Sequence, residues 1–439
     1  MLKTISENKS LYATWLISMI LIAAGVITTP LLSLAAFVIC ICFSLFSPSS
    51  DTISLLVGLI PCANVFKTSP GSTSLFTFFE IFVVLALILK SRKIKSGVFI
   101  PVALLAMYML LFSANDLNVL FIIKMLIALI FIYYALPNIS KADVVNITYM
   151  LSLAMLISLI LSMNSTYSPY IEPYFQDINF LFDTSGKATD ILRISGFIGD
   201  PNYSSIPILI SLTLLCFLYY QKKINNFFWL LFVPLLILGF FSYSKSYFLC
   251  ALMLIFFLII FVLAPKHKGW AVISTMAIVV LGILAFSGKI ELFNTTLERF
   301  IGNDVTSGRS DLNKAYLEYI FEDWKIFLFG DGIITEKFAG AANNVHNIYI
   351  ELLYRFGLVG GVIYIVSLLT CCNSLSQKTF TKKQFINYMP ILFIVVLYFF
   401  LAGISSYDLH FYIFLAMITI NYEKLPKEKA IDPLIKLKH

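Results

Sequence analysis

Apolar residues run through this chain in blocks, separated by short polar punctuation and by two long polar stretches. The blocks fall near 11–28, 31–46, 52–66, 75–89, 97–114, 118–136, 144–163, 203–220, 227–241, 247–264, 270–287, 352–372, 385–403 and 409–421. A run of this kind, approaching the roughly 20 residues that cross a bilayer, predicts a membrane helix. The pattern predicts an all-α fold: a polytopic transmembrane helical bundle of about 12–14 spans, with two long extracytoplasmic loops containing short helices. In chain order it divides into N-terminal membrane helices (1–163), a first loop (164–202), middle membrane helices (203–287), a second loop (288–351), and C-terminal membrane helices with a tail (352–439).

Composition agrees. Of the 439 residues 59% are hydrophobic and 13% charged, against about a quarter charged in ordinary soluble domains, which excludes a soluble enzyme of ordinary design. The net charge of +7 reads as a nucleic-acid signal until the charges are located. With the N-terminus inside and spans alternating, 19 of the 31 Lys and Arg fall on the inner side and 11 on the outer, leaving the inner face basic and the outer face acidic. Basic inner loops set orientation, so both termini are expected in the cytoplasm and both long loops outside. The candidate site is therefore expected on the outer side of the membrane. Inner segments are too short for a domain that handles nucleotide.

The first span lacks a small-residue cleavage site behind it and is expected to be a retained helix. All seven cysteines lie in apolar segments, so no disulfide framework is implied. The four histidines are not spaced as zinc ligands, and no metal or other cofactor is expected. No repeat of the transporter kind is visible.

The outer loops carry the candidate chemistry. Before the span at 203, Asp200 and Pro201 read as an N-cap and first helical residue, while Gly196 and Gly199 allow the backbone to turn or approach a ligand. Arg193 offers a planar fork of donors suited to phosphate, weighed equally against a solvated loop arginine. Lys245, in Ser242–Ser246, is either an interfacial lysine or an outer cation for an anion. In the second loop Ser310 is expected to cap a helix over 311–328, whose Leu312, Ala315, Tyr316, Tyr319, Ile320, Trp324 and Phe327 recur at helical spacing as a packing face or a face lying along the membrane surface. Arg309 stands where the helix dipole disfavours a cation, unless an anion occupies the same point. Arg299 lies nearby. A further helix starts near His346 and Asn347 and passes Tyr349 into Gly357, which with Gly361 suggests close helix packing. His346 sits at that helix start, where a neutral imidazole could act as a base, although a lone histidine is more often a capping residue. Glu80 and Lys124 are intramembrane charges, read as a structural pair or a polar pathway.

Gly308-Arg309 with Trp324 fifteen residues on, then Gly330-Asp-Gly332, then His346-Asn-Ile-Tyr-Ile-Glu-Leu-Leu-Tyr-Arg-Phe-Gly357-Leu-Val-Gly360, together resemble the O-antigen polymerase and ligase superfamily of bacterial glycan-assembly enzymes. The signature covers about 230–372, with 308–360 its specific part, and Asp200-Pro-Asn-Tyr203 is similar to the polymerase branch. The resemblance implies a glycosyltransferase with His346 as base and Arg309 as catalytic pyrophosphate ligand. Arg193, Lys245, Arg299, Asn347 and Tyr349 are expected to bind pyrophosphate or glycan; where Lys245 stands the family often has arginine. The implied partners are undecaprenyl-pyrophosphate-linked oligosaccharides as donor and acceptor, membrane lipid, and a chain-length regulator protein, with no nucleic acid. Polymerase is the preferred reading. The alternatives are a ligase moving glycan to lipid A–core and, from another class, a lipid-linked oligosaccharide flippase.

Overall fold

The computed structural model describes residues 8–67, 74–91, 96–112, 119–163, 180–182, 188–224, 227–259, 309–332, 346–372, 386–399, 401 and 408–427. The fold is all-α and polytopic in character, as the apolar blocks predict. Among the described residues four helices are long and apolar enough to cross a membrane: α1 (Lys9–Ile27), α7 (Lys141–Met163), α8 (Pro201–Tyr220) and α13 (Ile348–Cys372). Shorter apolar helices are α2 (Pro30–Phe46), α4 (Phe76–Ser91), α5 (Ser96–Phe112), α6 (Val119–Ala135), α9 (Phe227–Phe240), α10 (Lys245–Phe257), α14 (Met389–Phe399) and α15 (Asp408–Ile420). Their outward faces carry exposed Leu, Ile, Val and Phe, as surfaces meant for lipid must. All seven cysteines are free thiols.

Two local features depart from expectation. The block at 52–66 is not one continuous helix. Helix α3 (Ser49–Gly58) stops at Gly58, and a 3-10 helix resumes over Ile60–Val65, with Pro61 in its first turn removing a helical donor. Among its described residues the first long loop, expected to hold short helices, has one at Gly196–Ile198, a 3-10 turn, and adds an unexpected antiparallel hairpin of β1 (Phe180–Phe182) and β2 (Ala188–Leu192). Aromatic and β-branched residues such as Phe180, Phe182, Thr189 and Ile191 favour strand over helix there. The block at 270–287 and Arg299 lie outside the described residues.

The chain gathers into two compact units. The first comprises Met1–Cys40, Val57–Phe76 and Val145–Ser307, and the second Ile41–Leu56, Thr77–Val144 and Gly308–His439. In the first unit α8 is the central element, almost wholly buried and packed against α9 and α10. Trp15 of α1 donates to the Gly58 carbonyl (3.2 Å), and Tyr12 donates to Asn146 (3.1 Å), tying α1 to its neighbours. In the second unit α5 and α6 pack on α13, and α14 and α15 pack on each other. Two further helices complete it: α11 (Arg309–Glu322) and α12 (Trp324–Phe329).

Candidate functional site

In the first unit the chain around Arg193 is held against the turn between α9 and α10. Arg193 donates from Nε to the Ser242 carbonyl (2.9 Å) and from Nη2 to Asn202 Oδ1 (3.2 Å), while Ile194 N donates to the Phe241 carbonyl (3.0 Å). Arg193 is therefore half-buried and hydrogen-bonded to the protein, which sets aside the alternative of a solvated loop arginine. These two bonds orient the guanidinium beside the start of α8, where the Asp200 carboxylate also stands.

The same turn leads into α10, whose N-cap is Ser244 and whose first residue is Lys245. A loop that sequence places 49 residues from Arg193 thus comes to lie beside it. Helix α8 begins close by as predicted: Asp200 caps it by accepting from Asn202 N (2.6 Å) and Tyr203 N (3.2 Å), with Pro201 at its first position. Ser205 and Ser244 stand 3.5 Å apart, so the starts of α8 and α10 adjoin. Two helix N-termini and an oriented guanidinium make a setting that favours an anion. Gly196 and Gly199 both have positive φ (61° and 89°), but what approaches Gly196 is Ser158 of α7 and not an open ligand space.

The second unit holds Arg309, His346, Asn347 and Tyr349. Arg309 opens α11, with Ser310 inside the helix and not its cap. The helix expected to run to 328 breaks at Asp323, whose side chain accepts from Lys325 N (2.8 Å) and caps the short helix α12. An aspartate that can bond its own downstream backbone competes with helix continuation, and here it prevails. His346 stands just before α13, half-buried. Buried Asn347 caps that helix: its Oδ1 accepts from Tyr349 N (3.0 Å) and Ile350 N (3.3 Å). Its side-chain carbonyl thus fixes the first turn of the helix that follows His346. Tyr349 donates to the Val395 carbonyl of α14 (3.0 Å) and leaves its ring exposed.

One cluster joins the helices that carry Arg309 and His346. Tyr316 and Ile320 of α11 pack with Tyr354 of α13, the Tyr316 and Tyr354 rings meeting edge to face at 5.1 Å. Leu312, three residues beyond Arg309, and Ile350, four beyond His346, pack against this same cluster. Tyr319 and Tyr354 both donate to Asp331 Oδ2 (3.0 and 3.3 Å). Burial, and next the bond to Asp331, push the Tyr319 hydroxyl up to about 12, so it stays protonated and donating at any ordinary pH. Glu351 and Arg355 form a buried ion pair one turn apart on α13 (2.8 Å).

The Gly330-Asp331-Gly332 turn docks on α13 where that helix kinks at Gly357 (φ 61°, ψ −174°). A broken helix leaves the carbonyls before the break short of donors. Here Asp331 N donates to the Tyr354 carbonyl (2.8 Å), Gly332 N to that of Arg355 (3.2 Å), and Tyr108 Oη to that of Phe356 (2.7 Å). Tyr108 also reaches the Phe329 carbonyl (2.8 Å). Gly357 is closely packed as expected, against the backbone of Leu328 and Gly330, but its companion is Gly360, set against the Tyr108 ring, and not Gly361, which meets nothing within 4 Å. Tyr108, Asp331, Glu351, Tyr354 and Arg355 are thus structural parts of this region that spacing alone does not reveal, beside Tyr319, which it does.

The class defined by this architecture is an all-α polytopic helical membrane protein. No protein-family model matches the chain, and no curated protein is significantly similar to it. Among the described residues no three His, Cys, Asp or Glu gather as a metal site would require.

Proposed function

We propose that the protein is a surface-polysaccharide polymerase of the O-antigen type, transferring a growing glycan from undecaprenyl pyrophosphate onto a lipid-linked repeat unit at the periplasmic face. The observation that carries the reading is the Tyr316–Ile320–Tyr354 cluster, which packs the helix beginning at Arg309 against the helix preceded by His346. In this reading His346 takes the proton from the acceptor sugar hydroxyl, and that oxygen attacks the anomeric carbon of the donor. The bond from that carbon to the phosphate oxygen breaks, and the lipid pyrophosphate leaves with the electron pair. Arg309 binds the pyrophosphate and stabilises the charge growing on it, where oriented donors count most. Asn347 caps α13 immediately after His346. In the first unit Arg193 and Lys245 are assigned anion binding, on the adjoining helix starts described above. The energy of the pyrophosphate linkage replaces nucleotide, and the reaction as drawn needs no metal ion.

Surface glycan examined by gel tests the assignment in cells. His346→Ala is expected to leave core bearing a single repeat. Loss of all attached glycan would instead indicate a ligase, and an unchanged ladder would remove His346 from the site.

A further inference from the structure

Helix α11 has three distinct faces. Leu312, Tyr316, Tyr319 and Ile320 face the cluster with α13, and Asp311, Lys314, Glu318 and Glu322 form a charged side on which Lys314 and Glu318 pair at 3.8 Å. Between them runs an apolar edge: Leu317 and Phe321, four residues apart, continue to Trp324 at the start of α12. Phe321 is 62% exposed and Trp324 63% exposed. A helix bordered this way, apolar on one edge and charged beside it, has the build of an interfacial element.

Depth is set by α5. It is one of the shorter apolar helices, 17 residues rising about 25 Å with Phe112 as its last residue; read as a span, it puts its two ends near the two headgroup layers. Helix α12 is fixed at one of these ends. Phe112, the last residue of α5, stacks on Phe329 with ring centroids 5.1 Å apart and planes 2° from parallel, and Tyr108 one turn earlier bonds the Phe329 carbonyl. The apolar surface continues from there along α5 and α13, where Met107, Leu111, Leu358 and Val362 are all exposed as lipid-facing residues are. Phe321 packs on Phe327 (5.4 Å), which itself packs against the Tyr316–Ile320–Tyr354 cluster. Aromatic residues at this level of a membrane protein are characteristic of the interface, where an apolar ring body and a polar rim are both accommodated.

We propose that α11 and α12 form an interfacial shoulder that seats Phe321 and Trp324 in the headgroup layer of the phospholipid leaflet at the Phe112 end of α5, with the Asp311–Glu322 side toward water. The bilayer thereby holds the level of the helix that opens with Arg309. This inference concerns the lipid contact alone and does not depend on the glycan reading.

The test is spin-label accessibility in vesicles of phosphatidylcholine with phosphatidylglycerol. Phe321→Cys, Trp324→Cys and Glu318→Cys are each labelled in a Cys42→Ser background, since Cys42 is the exposed native thiol. Labels at 321 and 324 are expected to favour collision with oxygen over an aqueous nickel chelate several-fold more than the label at 318. Equal ratios at all three positions would overturn the proposal and leave this edge facing water or another protein. Should labelled chains fail to fold, fluorescence of the unlabelled protein gives the same answer. The emission lost in Trp324→Phe should be the part quenched by brominated phosphatidylcholine, and the proposal fails if that part is quenched by acrylamide but not by the brominated lipid.

Discussion

Gly330 and Gly357 meet backbone to backbone: a Cβ added to Gly357 would stand 2.5 Å from Gly330 N, and one added to Gly330 would stand 2.7 Å from Gly357 N. Both residues also have positive φ, 79° and 61°, a region costly for any residue with a side chain. Alanine at either position should therefore lower stability by about 2 kcal/mol or more, from strain and clash together. Gly361→Ala, in open space, should change little. Thermal unfolding of the three purified variants checks this, with the first two expected to melt clearly below wild type.

Tyr108 spans the same junction from α5, its one hydroxyl proton shared between the carbonyls of Phe329 and Phe356. Tyr108→Phe keeps the ring against Gly360 but leaves two carbonyls without this donor. The expected cost is about 1–3 kcal/mol. Proteolysis of the α12–α13 junction should quicken in this variant while cleavage near α8 stays unchanged.

How legible this was in sequence varies by element. Asp200-Pro201 announced the start of α8 because cap and first-turn preferences are local, and the structure has both in place. Apolar blocks announced most of the membrane helices for the same reason. The break at Asp323 was hidden because apolar spacing continues through Trp324 and Phe327, so periodicity outvoted a cap. The tie from Arg193 to Ser242 was hidden because it is non-local. Gly357 read as a packing glycine because spacing cannot show the sign of φ. What it supports, a turn 27 residues earlier in the chain, emerges only from the hydrogen bonds.

Glu351 and Arg355 are 4% and 7% exposed at the side chain, so neither charge has solvent to fall back on. Removing one partner should cost about 3–5 kcal/mol, whereas replacing both with apolar residues of similar size should cost far less. Glu351→Leu alone, Arg355→Met alone and the double variant, compared by melting temperature, give the answer. A double variant as unstable as the singles would show that the pair contributes more than mutual neutralisation.

Asn347 is expected to act on His346 through the helix start and not through substrate. Asn347→Ala should cost about 1 kcal/mol of stability, and Asn347→Asp should retain the cap. On the proposed function the alanine variant should lose turnover with little change in donor KM, and the aspartate variant should recover most of it. A residue that held the glycan directly would raise KM in both.

The central claim is transfer from lipid pyrophosphate with His346 as base. Purified protein in vesicles, supplied with purified lipid-linked repeat unit and no nucleotide, measures it most directly. Wild type should convert the single repeat into a ladder of multimers and release undecaprenyl pyrophosphate, and His346→Ala should do neither while melting at the wild-type temperature. Multimers formed equally well by His346→Ala, or none formed by wild type with donor and acceptor both present, would contradict the account.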